Sequence, residues 1–221
     1  MWTYYFLSRI FGITFGIKLM ELREKNLPDT YEIISAYLPV EKRIITDTEE
    51  HEKKLIALID EERLNYTSSI VLGINDALVE LTGTLAGLTF ALQNTRLIAL
   101  AGLITGSAAA LSMAASEYLS TKSETEKVGR NPLKASVYTG TVYLFTVAFL
   151  IYPYLIFTNL YLSLSMTILN AILVIIIFTF YISVAKGLSF RKRFTEMATI
   201  SLGVAAISFF IGFLLRGILN I

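Results

Sequence analysis

The sequence predicts an all-α membrane protein with five transmembrane helices, preceded by a small cytoplasmic helical region. The chain of 221 residues is 54% hydrophobic, but its charge is unevenly divided. Residues 1–66 carry 21 charged side chains, whereas the remaining 155 residues carry 16. After residue 66 there are five apolar stretches of the roughly 20 residues that a helix needs to cross a bilayer. We therefore separate a cytoplasmic or interfacial helical region, 1–66, from a transmembrane domain, 67–221.

Each of the five spans follows from an apolar stretch, and the loops between them set the orientation. The predicted spans cover about 67–92, 97–119, 135–157, 162–185 and 197–215. The loops after the second and fourth spans each contain four Lys or Arg residues, whereas the other two contain one and none. Because basic loops stay on the cytoplasmic side, we expect a cell-membrane protein with its N-terminus in the cytoplasm and its C-terminus outside.

Composition excludes several kinds of site and partner. The chain has no Cys, which rules out disulfides, thiolate metal sites and cysteine nucleophiles. Its formal net charge of +1 gives no reason to expect nucleic acid as a partner. We predict that the protein is not an enzyme and that it holds no permanently bound cofactor.

Two carboxylates interrupt the first predicted span, within the stretch GINDALVELTG at 73–83. Asp76 and Glu80 are four residues apart and therefore share one helical face. An ionisable group inside a span is costly, so it usually faces a bundle interior or a wet path and is functional. The same face continues to Gly83 and Gly87, small residues that allow helices to approach closely in lipid. We expect this face to contact another helix.

The second span repeats this arrangement along one stripe: Gly102, Gly106, Ala109, Met113 and Glu117. With a rise of about 1.5 Å per residue, its Glu and Met would lie nearer the cytoplasm than the two acids of the first span. Carboxylates suit hard cations, and a thioether favours a softer first-row ion. The series of three acids and one Met along the two spans therefore predicts a path for Fe²⁺ or Mn²⁺. Protons would compete with the metal for the carboxylates. Alternatively, Met113 serves packing and Glu117 reaches back to the interface.

The two spans resemble the vacuolar iron transporter family, also called the yeast calcium-cross-complementer type. The matching stretches are SSIVLGINDALVELTGTLAGL and GLITGSAAALSMAASEYLSTKSE. The resemblance implies a homodimer of five-span protomers that exports Fe²⁺, sometimes Mn²⁺, from the cytoplasm in exchange for protons. It matches Asp76 to the family's first-span aspartate and Met113 to its second-span methionine. Glu80 and Glu117 are similar to acidic positions of prokaryotic members.

The resemblance also suggests weaker cytoplasmic sites for cations. Eukaryotic members have a metal-binding insertion after the second span, whereas this chain has only about 15 residues there, with Glu124 and Glu126 among them. Residues 1–66 look like the remnant of a ferritin-like or rubrerythrin-like domain. Within that region Glu50 and His51 are candidates for weak attraction of metal, although the sequence favours the alternative of a solvated helix face with charge pairs.

Lys186 and Glu196 flank the last predicted cytoplasmic loop. The resemblance suggests that they form a gate or a proton path. A positive-inside lysine and an acid near a helix N-terminus explain the two residues without any function. Both interpretations stay open.

Two other classes of function are compatible with five spans. One is a membrane-anchored protein that binds metal or a partner without transporting anything, but an anchor has no need of two acids within a span. The other is a membrane oxidoreductase with a di-iron site, but His51 is the single His of the chain. Transport of a divalent metal ion is the function that the acids favour.

Overall fold

The computed structural model describes residues 9, 15–16, 18–19, 66–128 and 130–219, with the side chains of 124–128 and 219 left out. Between residues 66 and 219 the chain forms five α-helices, and the described ranges contain no strand. The helices are α1 (Thr67–Leu92), α2 (Thr95–Val128), α3 (Pro132–Ile156), α4 (Leu160–Lys186) and α5 (Phe190–Leu219). Each is long and apolar enough to cross a membrane. The predicted all-α class with five spans is confirmed.

Two helices extend well beyond the apolar stretches that predicted them. α2 continues to Val128 rather than ending near 119, and α5 begins at Phe190 rather than near 197. The added turns are rich in Lys, Arg and Glu, which are good helix formers but are excluded from an apolar window. Most of the expected loop at 120–134 is therefore helix.

Asparagine caps make the short connections around α2. Asn94 and Asn131 each accept hydrogen bonds through Oδ1 from two backbone amides of the turn that follows. Pro132 then occupies the first turn of α3, where the missing N–H would have had no helical partner. Gln93 is the C-cap residue of α1 and has a left-handed φ of 49°. Turns this short make α1 and α2 antiparallel neighbours, and likewise α2 and α3.

α1 lies at the centre of the transmembrane unit and packs against α2, α3 and α5, while α2 also packs against α3. Hydrogen bonds join α3 to α4, since Thr167 Oγ1 donates to the Leu150 carbonyl at 2.9 Å and Asn170 Nδ2 donates to the Phe149 carbonyl at 3.0 Å. The core consists of almost fully buried side chains, chiefly from α1 and α3: Ala77, Leu78, Leu81, Leu85, Tyr143, Val147, Leu150, Ile151 and Tyr154.

The chain divides into two compact units, one made of residues 65–179 and 190–221 and the other of 1–64 and 180–189. In the second unit, Lys18 Nζ donates to the Ala185 carbonyl at 2.6 Å, and the buried Phe15 ring stacks on Tyr181. Most of residues 1–66 lie outside the described ranges. The predicted domain boundary at residue 66 and the ferritin-like origin of the N-terminal region therefore stay predictions.

Candidate metal-ion path

The two acids of α1 lie on the side of the helix that faces away from the core. Asp76 and Glu80 are one turn apart near the middle of α1, about 14 and 20 Å from its first residue by helix rise. Ala77, Leu78 and Leu81 of the same helix are almost completely buried. Asp76 is partly buried and Glu80 is exposed. A carboxylate in this position meets lipid unless protein or water covers it.

A hydrogen bond from α3 holds Glu80. The Tyr143 hydroxyl donates to Glu80 Oε2 at 2.6 Å, and the Tyr143 side chain is fully buried. This distance is in the range of a hydroxyl that donates to an ionised carboxylate. The carboxylate of Asp76, by contrast, accepts no hydrogen bond from residues 66–128 or 130–219. Of these two acids, only Glu80 is therefore fixed by a hydrogen bond from a described residue.

Glu117 of α2 is turned into the protein and is only 9% exposed. Ser69 Oγ of α1 donates to Glu117 Oε1 at 2.6 Å, and Thr121 Oγ1 donates to the same oxygen at 3.4 Å. Two hydroxyl groups therefore take the place of water around this carboxylate. The buried position of Glu117 therefore disagrees with the alternative in which its side chain extends to the membrane–water interface.

The candidate ligands are spread along α1 and α2 in the predicted order. Ser69, the partner of Glu117, precedes Asp76 by seven residues, about 10 Å of helix rise. Met113 lies one turn deeper than Glu117 and packs, partly buried, against the core. In the part of the chain that the structure describes, no group of three or more His, Cys, Asp or Glu side chains could hold a metal ion. The described residues of one protomer therefore form no complete carboxylate site.

The glycines of both stripes pack against helices of the same chain. A Cβ on Gly83 would lie 2.9 Å from Val204 Cγ1, and one on Gly87 would lie 2.9 Å from the Ser208 carbonyl oxygen, both on α5. α5 thus covers this face of α1 beyond Glu80 and leaves the half with the acids open. The close helix contact predicted from the glycine stripes is therefore made by helices of the same chain.

The remaining candidates show no contact that assigns them a function. Lys186 and Glu196 are both exposed, and Glu196 pairs with Arg193 of its own helix at 3.2 Å. An exposed pair of this kind contributes little to stability, so a gate or proton role stays a prediction. Four more candidates lie outside the described side chains: Glu50, His51, Glu124 and Glu126.

Three hydroxyl residues of the candidate path were not predicted: Ser69, Thr121 and Tyr143. A tyrosine in the middle of a span is a usable signal, because its hydroxyl needs a partner when it is buried. The identity of that partner depends on the fold, since Tyr143 and Glu80 are 63 residues apart in sequence. The same holds for Ser69 and Glu117, which are 48 residues apart.

Comparison with known proteins finds a family match for the region of α1 and α2. Residues 67–130 match the model of the VIT family, the vacuolar iron transporters. No curated protein matches the chain. The matched segment contains α1, α2 and all four predicted ligands of the path, so the predicted resemblance is confirmed there. The VIT family is one of metal-ion transporters rather than of enzymes, and the match covers less than half of the chain.

Proposed function

We propose that the protein exports Fe²⁺ or Mn²⁺ from the cytoplasm across the cell membrane in exchange for protons, as a homodimer whose two α1 helices line the path. The observation that carries the proposal is the pair of acids, Asp76 and Glu80, on an open face of a membrane-spanning helix. The match to a metal-transporter family over α1 and α2 supports it.

A second copy of the chain would account for the open acids. Leu72, which is 41% exposed, Asp76 and Glu80 follow each other at one-turn intervals on one side of α1. Charged groups that face lipid are costly, and this cost falls when a partner helix covers them. A two-fold axis beside α1 would place the same face of both copies together. Four carboxylates would then surround one ion, where a single protomer supplies two.

The basic residues and the order of the ligands support export. Arg130, at the junction of α2 and α3, donates through Nη1 to Ser68 Oγ at 2.7 Å, so this junction and the start of α1 lie at the same end of the bundle. That end carries the basic loop that the positive-inside rule assigns to the cytoplasm. A cytoplasmic ion would therefore reach Glu117 first, then Met113, and then the acids of α1.

The ligand types support a first-row divalent ion as the substrate. Carboxylate oxygens suit Mn²⁺, and the thioether of Met113 favours the softer Fe²⁺. Each carboxylate binds either a metal ion or a proton. An ion arriving from the cytoplasm would displace protons from Asp76 and Glu80, and protons from outside would release it. The metal in this scheme is cargo, and no resident cofactor takes part.

The test is uptake of Fe²⁺ and Mn²⁺ into proteoliposomes that contain an internal pH dye, with the cytoplasmic face of the protein outward. We expect metal uptake with proton movement in the opposite direction. Metal uptake without proton movement would contradict the exchange but retain transport. Absence of flux from folded, correctly oriented protein would contradict the proposal and favour the membrane-anchored alternative.

A further inference from the structure

Tyr143 contacts the candidate path from inside the protein. Its side chain has no exposed surface, although it lies in the same layer of the bundle as the exposed Glu80. A phenol in an apolar core needs a hydrogen-bond partner, because an unsatisfied buried hydroxyl is costly. The partner is Glu80 Oε2 at 2.6 Å. A fully buried residue of the core therefore donates a hydrogen bond to a carboxylate on the outer face of α1.

A second tyrosine of α3 makes the equivalent contact with α1 but without an acid. Tyr154 is 1% exposed, and its hydroxyl lies 2.6 Å from Thr89 Oγ1, whose side chain is fully buried. Both tyrosines thus join α3 to α1 through one buried hydroxyl. Tyr154 and Thr89 show that a neutral hydrogen-bond partner is enough to join α3 to α1. The carboxylate partner of Tyr143 therefore needs an explanation other than helix packing.

We infer that Tyr143 is a positioning residue, which fixes the carboxylate of Glu80 in place for the metal ion. This inference rests on the proposed function. A carboxylate has two oxygens and about four sites that accept hydrogen bonds or cations. The phenol of Tyr143 occupies one site on Oε2 and leaves Oε1 free for the ion. Asp76, one turn away, has no such anchor among the described residues and can adjust its position to the ion.

The expected consequence is a change in affinity for the metal rather than in the maximal rate. A free glutamate side chain must be ordered when it binds an ion, whereas Tyr143 orders Glu80 in advance. Loss of the phenol hydroxyl should raise the KM for Mn²⁺ about three- to tenfold, the factor that corresponds to immobilising one flexible side chain. The maximal rate should change much less, since Glu80 itself remains.

Mn²⁺ flux in proteoliposomes tests the inference with a matched pair of variants, Tyr143→Phe and Tyr154→Phe. Both remove one buried hydroxyl from α3 and leave the ring that packs in the core. Size-exclusion profiles and unfolding midpoints in detergent would establish that both variants fold. We expect the KM to rise for Tyr143→Phe alone, with the KM of Tyr154→Phe close to that of the unchanged protein.

Each result has a distinct meaning. Equal KM values for the two variants, or a Tyr143→Phe effect confined to the maximal rate, would overturn the positioning role while the unchanged protein still transports Mn²⁺. Failure of Tyr143→Phe alone to fold would also overturn it, because the hydroxyl would then serve stability. No Mn²⁺ flux from the unchanged protein would overturn the proposed function, and the inference with it.

Discussion

The three acids of the candidate path lie in three different environments. The carboxylate of Asp76 accepts no hydrogen bond within the described ranges, Glu80 accepts one from a buried phenol, and Glu117 accepts two from hydroxyls. Glu117 is also the most buried of the three. A buried carboxylate depends on its donors, because each lost donor removes a hydrogen bond that water cannot replace in a desolvated position. The hydroxyl of Ser69 therefore contributes to stability through Glu117.

At the residue scale, we predict that Ser69→Ala destabilises the protein by about 1–3 kcal/mol, because the shorter of the two hydrogen bonds to the buried Glu117 carboxylate is lost. The measurement is the unfolding midpoint in detergent. Ser123→Ala is the matched control, because the Ser123 hydroxyl is exposed and donates only to the Ser120 carbonyl of its own helix. Equal midpoints for the two variants would show that the bond between Ser69 and Glu117 does not stabilise the fold.

At the scale of elements, α1 and α5 approach each other more closely than side chains normally allow. A Cβ on Gly212 would overlap the carbonyl group of Gly87. In the same interface Thr82 Oγ1 lies 3.0 Å from Ser201 Oγ, and both side chains are buried. Small residues and hydroxyl pairs of this kind are typical of helix packing in membranes, where no hydrophobic effect drives helices together.

We predict that Gly212→Ala destabilises the pairing of α1 with α5, by about 1–3 kcal/mol as in other overpacked cores. The neighbour is backbone, which cannot rotate away as a side chain would. Gly203→Ala on the same helix meets nothing within 4 Å and should instead stabilise α5 by about 0.5–1 kcal/mol. Unfolding midpoints that fall equally for both variants would contradict this account of the interface.

The sequence predicted the presence of each helix better than it predicted which helices and side chains are in contact. The lengths of the apolar stretches located all five spans, because a helix must present about 20 apolar residues to cross the hydrocarbon core of a bilayer. They missed the polar ends of α2 and α5, since helix formation does not require apolar residues. The spacing of Gly83 and Gly87 predicted close packing correctly but named no partner. Similarly, the sequence identified Glu80 as a candidate ligand, but only the fold brings Tyr143 to it.

At the scale of the whole molecule, the open half of the acid face predicts where two copies meet. The natural chain contains no Cys, so a single introduced cysteine reports on one position without background. We predict that Leu72→Cys, one turn before Asp76, forms a covalent dimer in membranes under oxidising conditions. The readout is a band of twice the monomer mass on a non-reducing gel.

Ile207→Cys provides the control for this experiment, because Ile207 lies on α5 and is 63% exposed, more than the 41% of Leu72. Random collisions in the membrane would cross-link the more exposed position at least as well. Cross-linking at Leu72 alone is the expected result. Equal cross-linking of both positions, or of Ile207 alone, would contradict a dimer that closes over the acids of α1.

The central claim is that Asp76 carries the metal ion through the middle of the membrane, and a comparison of Asp76→Asn with the unchanged protein tests it most directly. The substitution removes the carboxylate from the middle of α1 and keeps a side chain of nearly the same size. In proteoliposomes that report Mn²⁺ uptake and internal pH together, we predict that Asp76→Asn abolishes both signals that the unchanged protein gives. Metal uptake by folded Asp76→Asn at the unchanged rate would contradict the claim.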